Sequence, residues 1–98
     1  MRLDAEEVQA IKTAARDLFG PAAVVRLYGS RVDDAKRGGD IDLHLEVPAG
    51  TATPAMMNEL SWALAHAIGE QKIDIRLQPI GAVDEVFDRV AKTQGIVL

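Results

Sequence analysis

Two spacings of apolar residues organise this chain. From Asp4 to Phe19, Val8, Ile11, Ala15 and Leu18 recur at the three- and four-residue interval of one helix face. Asp4 is placed to cap that helix, and Glu7 three residues on completes a capping-box pair. Gly20-Pro21 stops it. Ala23 to Tyr28 is apolar and β-branched, which predicts a buried strand. Asp40 to Val47 alternates strictly, with Ile41, Leu43, Leu45 and Val47 on one side and Asp40, Asp42, His44 and Glu46 on the other. That period of two predicts a half-buried strand. Between the strands, Gly29 to Gly39 is polar, charged and bounded by glycine, so it reads as a turn with room for one helical turn.

Helical spacing then returns. Pro48 to Thr53 is a loop, and Thr53-Pro54 reads as a helix start with threonine as cap and proline at the first position. Met56, Met57, Leu60, Ala63, Leu64, Ala67 and Ile68 form an apolar stripe up to Gly69. Lys72 to Leu77 is the third strand, and Val83, Val86, Phe87 and Val90 mark a final helix ending near Gly95. The order is α-β-turn-β-α-β-α. It predicts an α/β chain of the α+β kind, with about four helices packed on a small mixed sheet of three or four strands.

Ninety-eight residues make one domain, 1–98, and a hydrophobic content of 48% supports a packed core. There is no cysteine, which leaves carboxylates, two histidines and backbone oxygens as metal ligands. Oxygen donors suit Mg2+ or Mn2+. The apolar stretches fall far short of a membrane span, and the acidic amphipathic start does not resemble a signal peptide, so the expectation is a cytoplasmic protein with no membrane partner. A net charge of -4 argues against direct nucleic-acid binding, which calls for a basic face.

The candidate chemistry lies in three aspartates and a glycine-serine turn. Asp40 and Asp42 are two residues apart on a strand and leave the same face. Asp74 leaves the polar face of its own strand, opposite Ile73, Ile75 and Leu77. On neighbouring strands, the three carboxylates would converge and repel one another unless a cation joined them. Two divalent ions roughly 3.5–4 Å apart would bridge such a cluster and clamp an in-line phosphoryl displacement. Gly29 follows a strand where the backbone passes close to a ligand. Ser30 and the N–H groups after it are placed to hold a triphosphate, and Arg31 to screen leaving phosphate charge. Plainer readings stand beside these. Gly29-Ser30 is also a common turn, Asp40 and Asp42 fit an exposed strand edge, and Arg31 fits a solvated surface. Asp74 could cap a helix end or pair with Arg76 or Lys72.

In order and spacing, Gly29, Ser30, Asp40, Asp42 and Asp74 resemble the motif of the DNA polymerase beta-like nucleotidyltransferase superfamily, and specifically its minimal nucleotidyltransferase (MNT) members. The resemblance covers nearly the whole chain. It implies a nucleotidyltransferase fold, with Asp40, Asp42 and Asp74 as catalytic metal ligands for two Mg2+ ions, or Mn2+. Gly29 and Ser30 would bind the phosphates of ATP, beside the Arg31 already placed by the turn. One departure is Gly39, where the family often has serine before the first aspartate. By resemblance, the chain would be an antitoxin that transfers AMP from ATP to a HEPN-type ribonuclease toxin, its partner in a hetero-oligomer. The rival is a non-catalytic antitoxin that blocks its toxin by occlusion. A third reading is transfer to RNA or to a small molecule; the acidic balance and short length disfavour a bare RNA-acting unit.

Other residues have plainer roles. His44 and His66 lack the spacing of a zinc pair and read as surface or satisfied polar groups, with His44 at the edge of the site. Trp62, Met56 and Met57 read as core or interface. Lys36, Arg37 and the Asp33-Asp34 pair read as solvated loop charge.

Overall fold

The computed structural model of the protein describes residues 3–29, 41–69 and 71–98. Among these residues the chain forms α1 (Ala5–Phe19), β1 (Val24–Tyr28), β2 (Ile41–Val47), α2 (Pro54–Ile68), β3 (Ile73–Pro79), α3 (Val86–Gln94) and β4 (Ile96–Val97). It is a mixed α/β fold with a four-stranded sheet in the order β3-β2-β1-β4. β1 pairs antiparallel with β2 and β4, while β2 and β3 run parallel. The parallel joint follows from α2, which carries the chain back along the sheet before β3 begins. Among the described residues no helix is long and apolar enough to cross a membrane.

Local chemistry sets the helix ends. The Glu7 N–H donates to Asp4 Oδ1 at 2.7 Å and the Asp4 N–H donates to Glu7 Oε1 at 3.2 Å, so the capping box expected at α1 is formed in both directions. Thr53 Oγ1 accepts from the Met56 N–H at 3.1 Å at the start of α2, with Pro54 as its first residue.

The alternation of β2 survives in three dimensions. Ile41, Leu43, Leu45 and Val47 are all buried, beside Val25 and Leu27 of β1. This sheet face shares one core with Ile11, Ala14, Ala15 and Phe19 of α1 and Leu60 and Leu64 of α2, with Ile73, Ile75 and Leu77 of β3 packed against it. Large aliphatic side chains fill that layer, and hydrophobic burial there is the main force holding the fold.

The opposite face is polar but not open, because α3 covers part of it. Here the structure corrects the expected stripe. Val83 lies before the helix, Val86 is 72% exposed and Phe87 62% exposed, while Asp88 and Ala91 are the buried residues of α3. The reason is the surface beneath. That face presents Arg76, His44 and Glu46, so α3 turns its charged side inward to meet them and leaves its apolar side to solvent. Two further departures are local. Trp62 is exposed and stacks on His66 with ring centroids 3.8 Å apart, so it is not core. β4 is a strand that hydropathy did not announce; it pairs with β1 through Ile96 and Val97.

Candidate active site

The site is built where three strands meet on the polar face. Tyr28 of β1 pairs in register with Asp42 of β2, and Asp42 pairs in register with Asp74 of β3. Directly paired residues project to the same side of a sheet, so the three side chains form one row. The structure therefore brings Asp42 and Asp74 together as direct cross-strand neighbours. Asp74 is exposed on the edge strand, and Asp42 is half-buried inside the sheet. The helix-cap reading of Asp74 fails because the residue lies within β3, and Arg76 is bonded to Asp88 and Glu85 instead.

Gly29 closes the row from the β1 side. Its φ is +78°, a left-handed conformation that side chains resist, and a Cβ built there would collide with Asp42 Oδ2. Glycine is thus favoured on two counts: the turn out of β1 and the space the Asp42 carboxylate occupies. Asp40, Ser30 and Arg31 lie outside the described residues, as do Asp33, Asp34, Lys36, Arg37 and Gly39. Among the described residues no group of three or more acidic or histidine side chains is gathered closely enough to hold a metal, and Asp42 with Asp74 makes a pair.

The electrostatics of the row match its geometry. Burial raises the Tyr28 phenol above its ordinary range, and the Asp42 and Asp74 charges push it the same way, against the pull of Arg76. Two like charges placed directly opposite on neighbouring strands destabilise the sheet. A carboxylate pair with only oxygen donors suits a hard divalent cation, which would relieve that repulsion.

One position further along, the row changes character. His44 pairs in register with both Arg26 and Arg76. His44 is fully buried, and its Nε2 lies 2.8 Å from Asp88 Oδ1 of α3. Arg76 donates from Nε to Asp88 Oδ1 at 2.7 Å and from Nη2 to Asp88 Oδ2 at 3.1 Å, a two-pronged pair. The Glu85 N–H also donates to Asp88 Oδ2, at 2.8 Å. Hydrogen bonding from Arg76 is the largest cause holding the Asp88 carboxyl far below the usual carboxylate range, against the opposing effect of burial. At the next row, Glu46 is paired with Arg26 of β1, and Lys92 of α3 lies 3.7 Å away. Lys92 also donates to Asp84 at 2.6 Å, and Asp84 accepts from Gln78 of β3 at 2.8 Å.

No protein-family model matches the chain, and no curated protein matches it. The functional reading therefore rests on the site and on the motif in the sequence.

Sequence reasoning missed Tyr28, Arg76 and Asp88. Arg76 was open to detection, since it stands two residues from Asp74, already placed on the polar face, and a period of two carries it there. Asp84, Asp88 and Lys92 recur every four residues, a polar helical stripe as regular as the apolar one. It was the stripe that faces the sheet.

Proposed function

We propose that this chain is a metal-dependent nucleotidyltransferase that moves AMP from ATP to a hydroxyl of a partner protein. The observation that carries the reading is the register pairing of Asp42 with Asp74, closed on one side by a glycine whose missing side chain leaves room for the Asp42 carboxylate. A self-repelling pair of this kind is costly without a cation, and a purely structural strand pair has no use for it.

Asp42 and Asp74, with Asp40 from the motif, would hold Mg2+ or Mn2+. When bound, the ions would neutralise phosphate charge and make the acceptor oxygen more nucleophilic. Gly29 leads into the segment with Ser30 and Arg31, which would hold the phosphates. In the transfer, the acceptor oxygen forms a bond to the α-phosphorus as the bond to the bridging oxygen breaks. Pyrophosphate leaves with that electron pair, and the acceptor proton passes to a carboxylate or to solvent. The resemblance to MNT proteins supports a HEPN-type toxin as the acceptor, in a cytoplasmic toxin–antitoxin pair that the transfer silences. The rival reading, occlusion without chemistry, keeps the same partner but gives the carboxylate pair no task.

The test supplies ATP labelled at the α- or γ-phosphate, Mg2+ and the product of the neighbouring reading frame. The α-label is expected on the partner and the γ-label is not, and Asp74→Asn abolishes transfer. Transfer of the γ-label would make the chain a phosphotransferase. Inhibition of the partner with neither label moved would favour occlusion.

A further inference from the structure

β3, the strand that carries Asp74, is an edge strand. Among the described residues it is held along one side only, by a parallel pairing to β2, the less stable kind of ladder. The carboxylate row sets two like charges side by side on those strands, because Asp42 and Asp74 are a register pair. One pair further along, a single buried carboxylate ties them together. Asp88 of α3 binds His44 of β2 at 2.8 Å and Arg76 of β3 at 2.7 and 3.1 Å. His44 and Arg76 are themselves a register pair, each two residues beyond Asp42 and Asp74 on the same face.

We propose that Asp88 is a positioning residue for the candidate site: by holding His44 and Arg76 at once, its carboxylate keeps Asp42 and Asp74 abreast for the metal. The proposal rests on the nucleotidyltransferase reading above. It assigns Asp88 no contact with metal or nucleotide, only the placing of the strands that make those contacts. The geometry suits the task. Asp88 is fully buried, so its bonds are little weakened by solvent or salt. Its fork to Arg76 fixes direction as well as distance, which a lysine in place of that arginine would not. The Glu85 N–H on Asp88 Oδ2 anchors the carboxylate to the start of α3, so the clamp is braced by the helix backbone.

The test compares the wild type with Asp88→Asn and Arg76→Lys, and with Ile11→Val as a control that loosens the core on α1, away from the clamp. Two quantities are read at a temperature where each protein is folded. The first is Mn2+ affinity in the presence of a non-hydrolysable ATP analogue, by calorimetry. The second is hydrogen exchange at the β3 amides without metal. Asp88→Asn is expected to bind Mn2+ about tenfold more weakly, the usual scale for losing a group that orients metal ligands. Arg76→Lys should fall between it and the wild type. Both should speed exchange in β3 more than in β1, whereas Ile11→Val should leave Mn2+ affinity unchanged. Should Asp88→Asn fail to fold, Arg76→Lys carries the comparison. Wild-type Mn2+ affinity in the folded clamp variants would overturn the proposal, as would an equal loss in Ile11→Val. A wild type that binds no Mn2+ would overturn the nucleotidyltransferase reading itself, and the positioning role with it.

Discussion

Replacing Gly29 with alanine separates two costs that the structure places at one residue. The first is backbone. At a φ of +78°, alanine pays about 1–2 kcal/mol for the left-handed region, less the ~0.4–1 kcal/mol gained by stiffening the unfolded chain. The net is about 1 kcal/mol. The second is steric. The new Cβ meets Asp42 Oδ2, so that carboxylate must leave its rotamer, which costs about another 0.5–1.5 kcal/mol. Gly50 supplies the control. Its φ is +89°, and a Cβ there meets nothing within 4 Å, so Gly50→Ala bears the first cost alone. In a domain of 98 residues, 1 kcal/mol moves the melting temperature by roughly 4–8 °C. Gly50→Ala should therefore fall by about that much and keep full metal and nucleotide binding. Gly29→Ala should fall about twice as far. It should also lose transfer by about a hundredfold, the scale expected when a reacting group is misplaced by an ångström. Thermal melts with paired α-label transfer assays measure both. Equal melts for the two variants, or full transfer by Gly29→Ala, would refute the claim that Asp42 fills the space beside this glycine.

Other outcomes follow from the same geometry. Asp74→Asn in EDTA should melt at or slightly above the wild type, since it removes a like charge directly opposite Asp42; a large drop would make Asp74 a structural residue. The stability that Asp88 contributes should be lost on acidification. Its folded-state pKa is depressed, so the unfolded chain binds the proton first, and the contribution is full above the ordinary aspartate value near ~3.9 and fades below it. The difference in melting temperature between wild type and Asp88→Asn, followed from pH 7 downward, should narrow once pH falls through that range; a widening gap would contradict the assignment. Phe87→Ser should change the stability of the isolated chain by less than about 0.5 kcal/mol, as for a surface site, whereas a core phenylalanine would cost about 3–5 kcal/mol. Urea titration separates the two values.

What could be read from the sequence was what local chemistry decides. The capping box of Asp4 and Glu7, the threonine cap before Pro54 and the alternation of β2 each depend on neighbours a few residues away, and each is present as expected. That Asp42 and Asp74 leave the polar faces of their strands was legible because isoleucine and leucine mark the opposite face of each; that the two strands pair in this register is made by the fold. β4 was not, since two residues are too few to show a period, and its pairing with β1 is made by the fold. The facing of α3 was misjudged for a related reason. Apolar periodicity shows which side of a helix is greasy, and that side turns inward only if the surface beneath is greasy too. Here the surface beneath is Arg76, His44 and Glu46. Asp40, Ser30 and Arg31 were named from the motif and lie outside the described residues.

The inverted helix and the turn before it divide their sequence into two sets that can change separately. Asp84, Asp88 and Lys92 answer to the sheet, where each has a partner on β2 or β3. Val83, Val86 and Phe87 are held by little within this chain, for all three stand mostly in solvent. Substitution in the second set leaves the carboxylate row and its clamp untouched. Mutational drift can thus rewrite the outward side of this segment one residue at a time while the polar contacts beneath it are inherited intact.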